Sequence, residues 1–142
     1  MAYSTLTDIE ETIPTAVVIQ LTDDANSGAV DAAKVTDCIA KGDGIIDSYC
    51  AVKYSVPFTT VPSVIKTLSC DIAIKYLYAR RVEEMPKTRQ DAYDAAISFL
   101  KDVSRGTATL GVDPAPAPSP QGSPEVSTPN RRIFTRDKLS DL

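Results

Sequence analysis

Asp23, Ser27 and Asp31 are the first residues whose spacing invites chemistry. They flank Gly28 in Asp23-Asp24-Ala25-Asn26-Ser27-Gly28-Ala29-Val30-Asp31. With Gly28 as the tight-turn glycine, all three fall at ligand positions of a calcium loop and Val30 at its apolar position. Two residues argue the other way. Ala25 stands where a ligand is needed, and Lys34 where a bidentate Glu closes the site. The stretch therefore reads as a polar turn in which Asp31 caps the following helix. Elsewhere Asp91 and Asp94 lie three apart, and Glu83 and Glu84 are adjacent. With no partner base beside them, these pairs read as solvated charges.

The chain contains no His. That removes the commonest general base, the usual nucleophile triads and the commonest metal ligand. There is no GxGxxG, P-loop, GxSxG or HExxH pattern. Cys38, Cys50 and Cys70 are an odd, widely spaced set without a CxxC pair. They read as small core residues synthesised in a reducing cytosol, not as a disulfide framework or metal site. No catalytic, cofactor-binding or metal-ligating residue is assigned, and no enzymatic activity is expected. Arg80 and Arg81 are the candidate partner-binding pair of the body. They suit a phosphate or a partner carboxylate, or simply the favourable end of a helix dipole.

The elements that must carry these residues are helical. Thr5-Leu6-Thr7-Asp8-Ile9-Glu10-Glu11 reads as a short helix with a threonine cap and acids in its first turn. Pro14-Thr15-Ala16-Val17-Val18-Ile19-Gln20-Leu21 is apolar enough for helix or strand. Pro14 at its start and Asp23-Asp24 at its end select helix. Over residues 31–54, Val35, Ile39, Gly42, Ile46 and Tyr49 recur on one helical face. Gly42 and Gly44 each cost about 1 kcal/mol of helix propensity against Ala, and permit a kink or a close crossing. Pro57 and Pro62 force an extended connector. The next helix spans 62–81, with Ile65, Leu68, Ile72, Tyr76 and Ala79 in a stripe and Ile74, Leu77 and Tyr78 on other faces. Such girth implies a central helix or one covered by a partner chain. A last helix spans 88–105, with Tyr93, Ala96 or Ile97, Leu100 and Val103 inward and Gly106 as its stop.

At 142 residues the chain has length for one domain and a tail. No apolar run is long enough to span a bilayer, and the first residues lack the basic start and apolar stretch of a secretory signal. The net charge of −4 is unevenly spread. Residues 1–40 hold seven acids against Lys34 alone, whereas residues 66–105 hold eight cations against six acids. Opposed ends of this kind steer head-to-tail association, or are a solvated surface. The acidic balance argues against nonspecific DNA binding.

The composition changes after residue 111. Six of the ten prolines lie between Pro114 and Pro129, a stretch that cannot pack a core and reads as an extended spacer. Beyond it Arg131, Arg132, Ile133, Phe134, Arg136 and Leu139 mix basic and apolar side chains. A spacer ending in such a cluster reads as a tether with a docking peptide. The expected architecture is all-α: a compact bundle of four to five helices over 1–111, a Pro-rich linker over 112–130 and a docking segment over 131–142.

Several stretches appear in a characteristic order: Leu21-Thr22-Asp23 and the polar turn, Ile46-Asp47-Ser48-Tyr49, Tyr54-Ser55-Val56-Pro57-Phe58, Cys70-Asp71-Ile72-Ala73, Tyr76-Leu77-Tyr78, Leu100-Lys101-Asp102-Val103-Ser104-Arg105-Gly106 and Arg132-Ile133-Phe134-Thr135-Arg136-Asp137. The set resembles the phage Mu-like family of small neck proteins, over about residues 3–111 and the tail end; the Pro-rich spacer looks individual to this chain. The resemblance implies an α-helical head–tail connector that forms a ring, expected to be dodecameric, below the portal protein. DNA would pass through the channel without sequence-specific binding, and a further neck or tail-completion protein would sit beneath. It implies a virion location after assembly in the host cytoplasm, no membrane, no cofactor and no enzyme activity. A tail-side completion protein and a non-virion packaging accessory are the other readings.

Overall fold

Thr5 opens the first helix by closing both halves of a capping box. Its hydroxyl accepts from the Asp8 N–H, and the Asp8 carboxylate accepts from the Thr5 N–H at 2.8 Å. The computed structural model describes residues 1–81 and 83–115. These form α1 (Leu6–Thr12), α2 (Thr15–Thr22), α3 (Ala32–Cys50), α4 (Ser63–Arg81) and α5 (Lys87–Arg105), with no strand among the described residues. The all-α bundle expected from the sequence is thus present. The Pro-rich segment beyond Ala115 and the docking segment over 131–142 lie outside the described residues.

The stops and starts follow local chemistry. Pro14 and Pro86 precede the first turns of α2 and α5, where a missing N–H costs nothing. The Asp31 carboxylate accepts from the N–H groups of Ala33 and Lys34 at 3.1 and 3.4 Å and so caps α3. Gly106 ends α5 at φ +82, the left-handed conformation that a side chain resists.

Helix α3 is shorter than its expected span of 31–54. After Cys50 the N–H groups of Lys53 and Tyr54 both turn back onto the Cys50 carbonyl. The reason lies in Tyr54, which is buried and accepts from the Leu110 N–H through its hydroxyl at 3.1 Å. Its ring lies 6.3 Å from that of Phe58.

From Leu68 to Tyr78, helix α4 is buried or half-buried around its girth within one chain. Ile65, Leu68 and Ile72 join a cluster with Ile46, Cys50, Ala96, Leu100 and Val103 from α3 and α5. Ala73, Ile74, Leu77 and Tyr78 join a second cluster with Ile9, Val18, Leu21, Val35 and Ile39. The short helices α1 and α2 therefore cover the side that the sequence left to a possible partner. The expected stripe peels apart at its C-terminal end: Tyr76 is half-buried and Ala79 is exposed. There the core turns toward α1 and α2 by way of Ala73, Ile74 and Leu77. Tyr93 and Ile97 likewise only flank the core, which takes Ala96, Leu100 and Val103 from α5. Gly42 serves the close crossing and not a kink. A Cβ there would lie 3.4 Å from Ile72 Cγ2 and 3.5 Å from the Ser69 carbonyl.

The packed body continues past residue 111. Val112 packs on the core, and the Ala115 N–H donates to the Lys53 carbonyl at 2.9 Å. No helix among the described residues is long and apolar enough to cross a membrane.

Candidate functional site

The Asp23–Asp31 turn is built from its own hydrogen bonds. Asp23 Oδ1 accepts from the Ser27 N–H at 2.9 Å, and Oδ2 from the Gly28 N–H at 2.6 Å. Gly28 has φ +73, as a tight turn requires. Lys34 Nζ lies 2.6 Å from Asp24 Oδ2, 3.1 Å from Asp31 Oδ2 and 3.0 Å from the Thr22 carbonyl. An ammonium thus occupies the space between the acids that a cation would otherwise compete for. The reading of Asp31 as a helix cap holds.

Arg80 and Arg81 reach the same corner. The Arg80 guanidinium grips Asp24 with two bonds, at 2.7 and 2.6 Å, the fork geometry that gives Arg–carboxylate pairs their strength. It also donates to the carbonyls of Leu21 and Thr22 at 3.0 and 3.3 Å. Arg81 donates to the Asp23 carbonyl and lies 3.3 Å from Asp24. Three cations therefore converge on the C-terminal end of α2, where the exposed carbonyls carry the negative end of the dipole. The Asp24 carboxyl is held far below the usual carboxylate range, by Arg80 first and Lys34 next. With Asp8–Lys66 at 2.7 Å, these pairs consume part of the charge asymmetry inside one chain.

A second polar cluster escaped the sequence reading. Asp43 is 7% exposed. It accepts from the Tyr3 N–H at 3.0 Å and from the Ser69 hydroxyl at 2.6 Å. Ser69 is spent as a donor there, so the Ser4 hydroxyl, 2.8 Å away, donates to Ser69. Tyr3 donates its phenol to Asp47 and accepts from the Phe58 N–H at 3.2 Å. Burial, then the bond to Asp47, pushes the phenol well above its ordinary pKa. The signal was available: Asp43 falls four after Ile39 and three before Ile46, on the apolar stripe itself. An acid at such a position needs buried donors.

Asp43 and Asp47 have no cation within ion-pair distance among the described residues. They border a groove of 410 Å³ along α3, whose other walls are Met1, Ala2, Thr36, Ala40 and Gly44. A second cleft, of 540 Å³, has walls from α1, α4 and α5 that include Asp8, Lys66, Asp71 and Arg89. Burial raises the Asp71 carboxyl there, and the nearby Arg89 opposes the shift. Cys38, Cys50 and Cys70 are all buried and free. Burial raises all three thiols, those of Cys50 and Cys70 to about 11. Among the described residues no group of three or more His, Cys, Asp or Glu side chains is placed to hold a metal. Of the candidate partner-binding residues, Arg80 and Arg81 come together on Asp24; Arg131, Arg132, Ile133, Phe134, Arg136 and Leu139 lie outside the described residues.

The fold and its internal ion pairs define a small all-α body with a further segment beyond Ala115. Comparison with known proteins makes it a bacteriophage protein: the model of the family described as Bacteriophage Mu, Gp36 matches residues 3–128, and the chain belongs to that family. The match runs further into the Pro-rich segment than the sequence resemblance did, and it stops short of residues 131–142. The chain is 36% identical over 84 residues to the Mu-like prophage FluMu protein gp36 of Haemophilus influenzae, covering 59% of this chain and 57% of that protein. It is 31% identical over 96 residues to Gene product J of Escherichia phage Mu, covering 67% of this chain and 65% of that one. The chain thus spans about three-fifths of the length of these relatives.

Proposed function

We propose that this phage protein is a structural head–tail connector. It forms a ring below the portal, extends the DNA channel and offers the tail an attachment surface. The observation that carries the reading is the family match over residues 3–128, which takes in the whole helical body and most of the spacer. The internal chemistry is consistent with a scaffold. The converging charges at Asp24 join α2, α3 and α4, and the buried acid Asp43 ties the N-terminal residues to α3 and α4. Catalysis forms no part of this role. The homo-oligomer has twelve copies, matching the portal, and its neighbours are the portal and the next neck or tail-completion protein. DNA passes without sequence-specific contact, and the protein resides in the neck of the virion. The Pro-rich arm carries residues 131–142 to a neighbouring subunit or ring.

Cross-linking mass spectrometry on purified particles tests this. Links from the helical body to the portal, together with links from Lys138 to a neighbouring neck or tail protein, are the expected result. Links to tail proteins alone would favour a tail-side completion role. Absence of the chain from the particle would overturn the reading in favour of a packaging accessory.

A further inference from the structure

The groove along α3 is lined by the small Ala2, Ala40 and Gly44, by Met1 and Thr36, and by the acids Asp43 and Asp47. Ala40 and Gly44 are exposed at its base, and a Cβ added at Gly44 would meet nothing within 4 Å. Asp43 is buried with both carboxylate oxygens bonded inside the body, so the half-buried Asp47 is the acid the groove presents; no described cation pairs with either, and the exposed Lys41 follows Ala40 in α3. A fitting occupant is narrow, apolar at its centre and positively charged.

The chain itself contains such a segment. Residues 131–136 place Arg131, Arg132 and Arg136 around Ile133 and Phe134. The described chain ends at Ala115, bonded to Lys53 just past the C-terminal end of α3. The groove begins at Asp47, roughly 5 Å back along the helix from Cys50 at about 1.5 Å per residue. Drawn out at the polyproline rise of about 3.1 Å per residue, a stretch as long as 116–130 would reach at most roughly 46 Å. That reach covers the chain's own groove and one on an adjacent copy alike; the connector reading, in which copies stand side by side, selects the second.

We propose that the α3 groove receives residues 131–136 of a neighbouring copy. The contact deepens the connector reading and rests on it. It is heterologous, because arm and groove are different surfaces, and repetition closes a ring when the rotation permits. Tethering raises the local concentration of a weak peptide contact.

The test mixes full-length protein made with ordinary and with heavy nitrogen, and cross-links the lysines. A Lys138–Lys41 link joining light to heavy copies is expected. Gly44→Arg fills the groove and adds a repelling charge, and should lower that link about tenfold, the effect of losing about 1.4 kcal/mol of contact. Arg131→Glu with Arg132→Glu, made outside the helical body, should do the same. Combining both sets should recover part of the yield. A link confined to one isotope would place the arm on its own groove and overturn the contact between copies. A yield indifferent to Gly44→Arg, or no such link in isolated protein or in particles, would overturn the groove itself. Portal links in the particle stand apart from all these outcomes, so the connector role can survive the loss of this contact.

Discussion

Asp24 is one residue whose protonation the fold feels. Its folded pKa is depressed by Arg80 and Lys34, so its contribution to stability is present above the ordinary carboxylate value of 3.8 and is lost as the pH falls below it. Asp8, Asp23 and Asp31 are depressed in the same direction. The melting temperature should therefore drop as pH falls below about 4. Asp24→Asn should lower it at neutral pH and flatten part of the acid-side fall, as a series of thermal melts would record. Asp43 fails differently. Asp43→Ala strands the Tyr3 N–H and the Ser4–Ser69 hydroxyl pair in a buried place, and should cost about 2 kcal/mol in urea unfolding. Asp24 also shows why Arg80 and Arg81 were only half legible. Their type and helix-terminal position were plain in the sequence, but the helix end they serve is that of α2, 58 residues away for Arg81 and its Asp23 carbonyl. No local pattern carries that pairing.

Among the elements, α3 and α4 set the frame, and their two exposed or crossing glycines separate packing from propensity. Gly44 faces open space, so Gly44→Ala should stabilise by about 1 kcal/mol. Gly42 faces Ile72 at van der Waals distance. Gly42→Ala should be tolerated, whereas Gly42→Leu should destabilise by about 2 kcal/mol through overpacking. Calorimetry of the three variants would read the order. The helices were legible from periodicity and from Pro14, Asp31 and Gly106, because caps and stops are local chemistry. The early end of α3 was not, because it depends on Tyr54 meeting Phe58 and Leu110 from distant sequence. The reach of the α4 stripe failed for a similar reason: which side of an all-round apolar helix is deepest depends on where α1 and α2 land.

For the whole molecule, the boundary between body and arm follows the contacts. A chain ending at residue 115 keeps Leu110 in the core and the Ala115–Lys53 bond. It should melt within a few degrees of the full chain and impair particle assembly. A chain ending at residue 105 loses the Gly106 stop and Leu110, and should lose about 2 kcal/mol or more. Normal plaque yield from the chain ending at residue 115 would count against the docking arm. The acidic start and basic middle of the sequence were legible as an asymmetry, but not as a partly internal one; the Asp24 and Asp8 pairs appear only when the helices are folded together.

The three thiols have a practical use. Cys38, Cys50 and Cys70 are buried, and burial raises all three, so a thiol-reactive dye should find almost nothing to label on the folded body. Its uptake becomes a clock for opening, with label accumulating only as fast as the interior is exposed. Against that silent background, one new cysteine placed on the surface would be an unambiguous reporter of assembly.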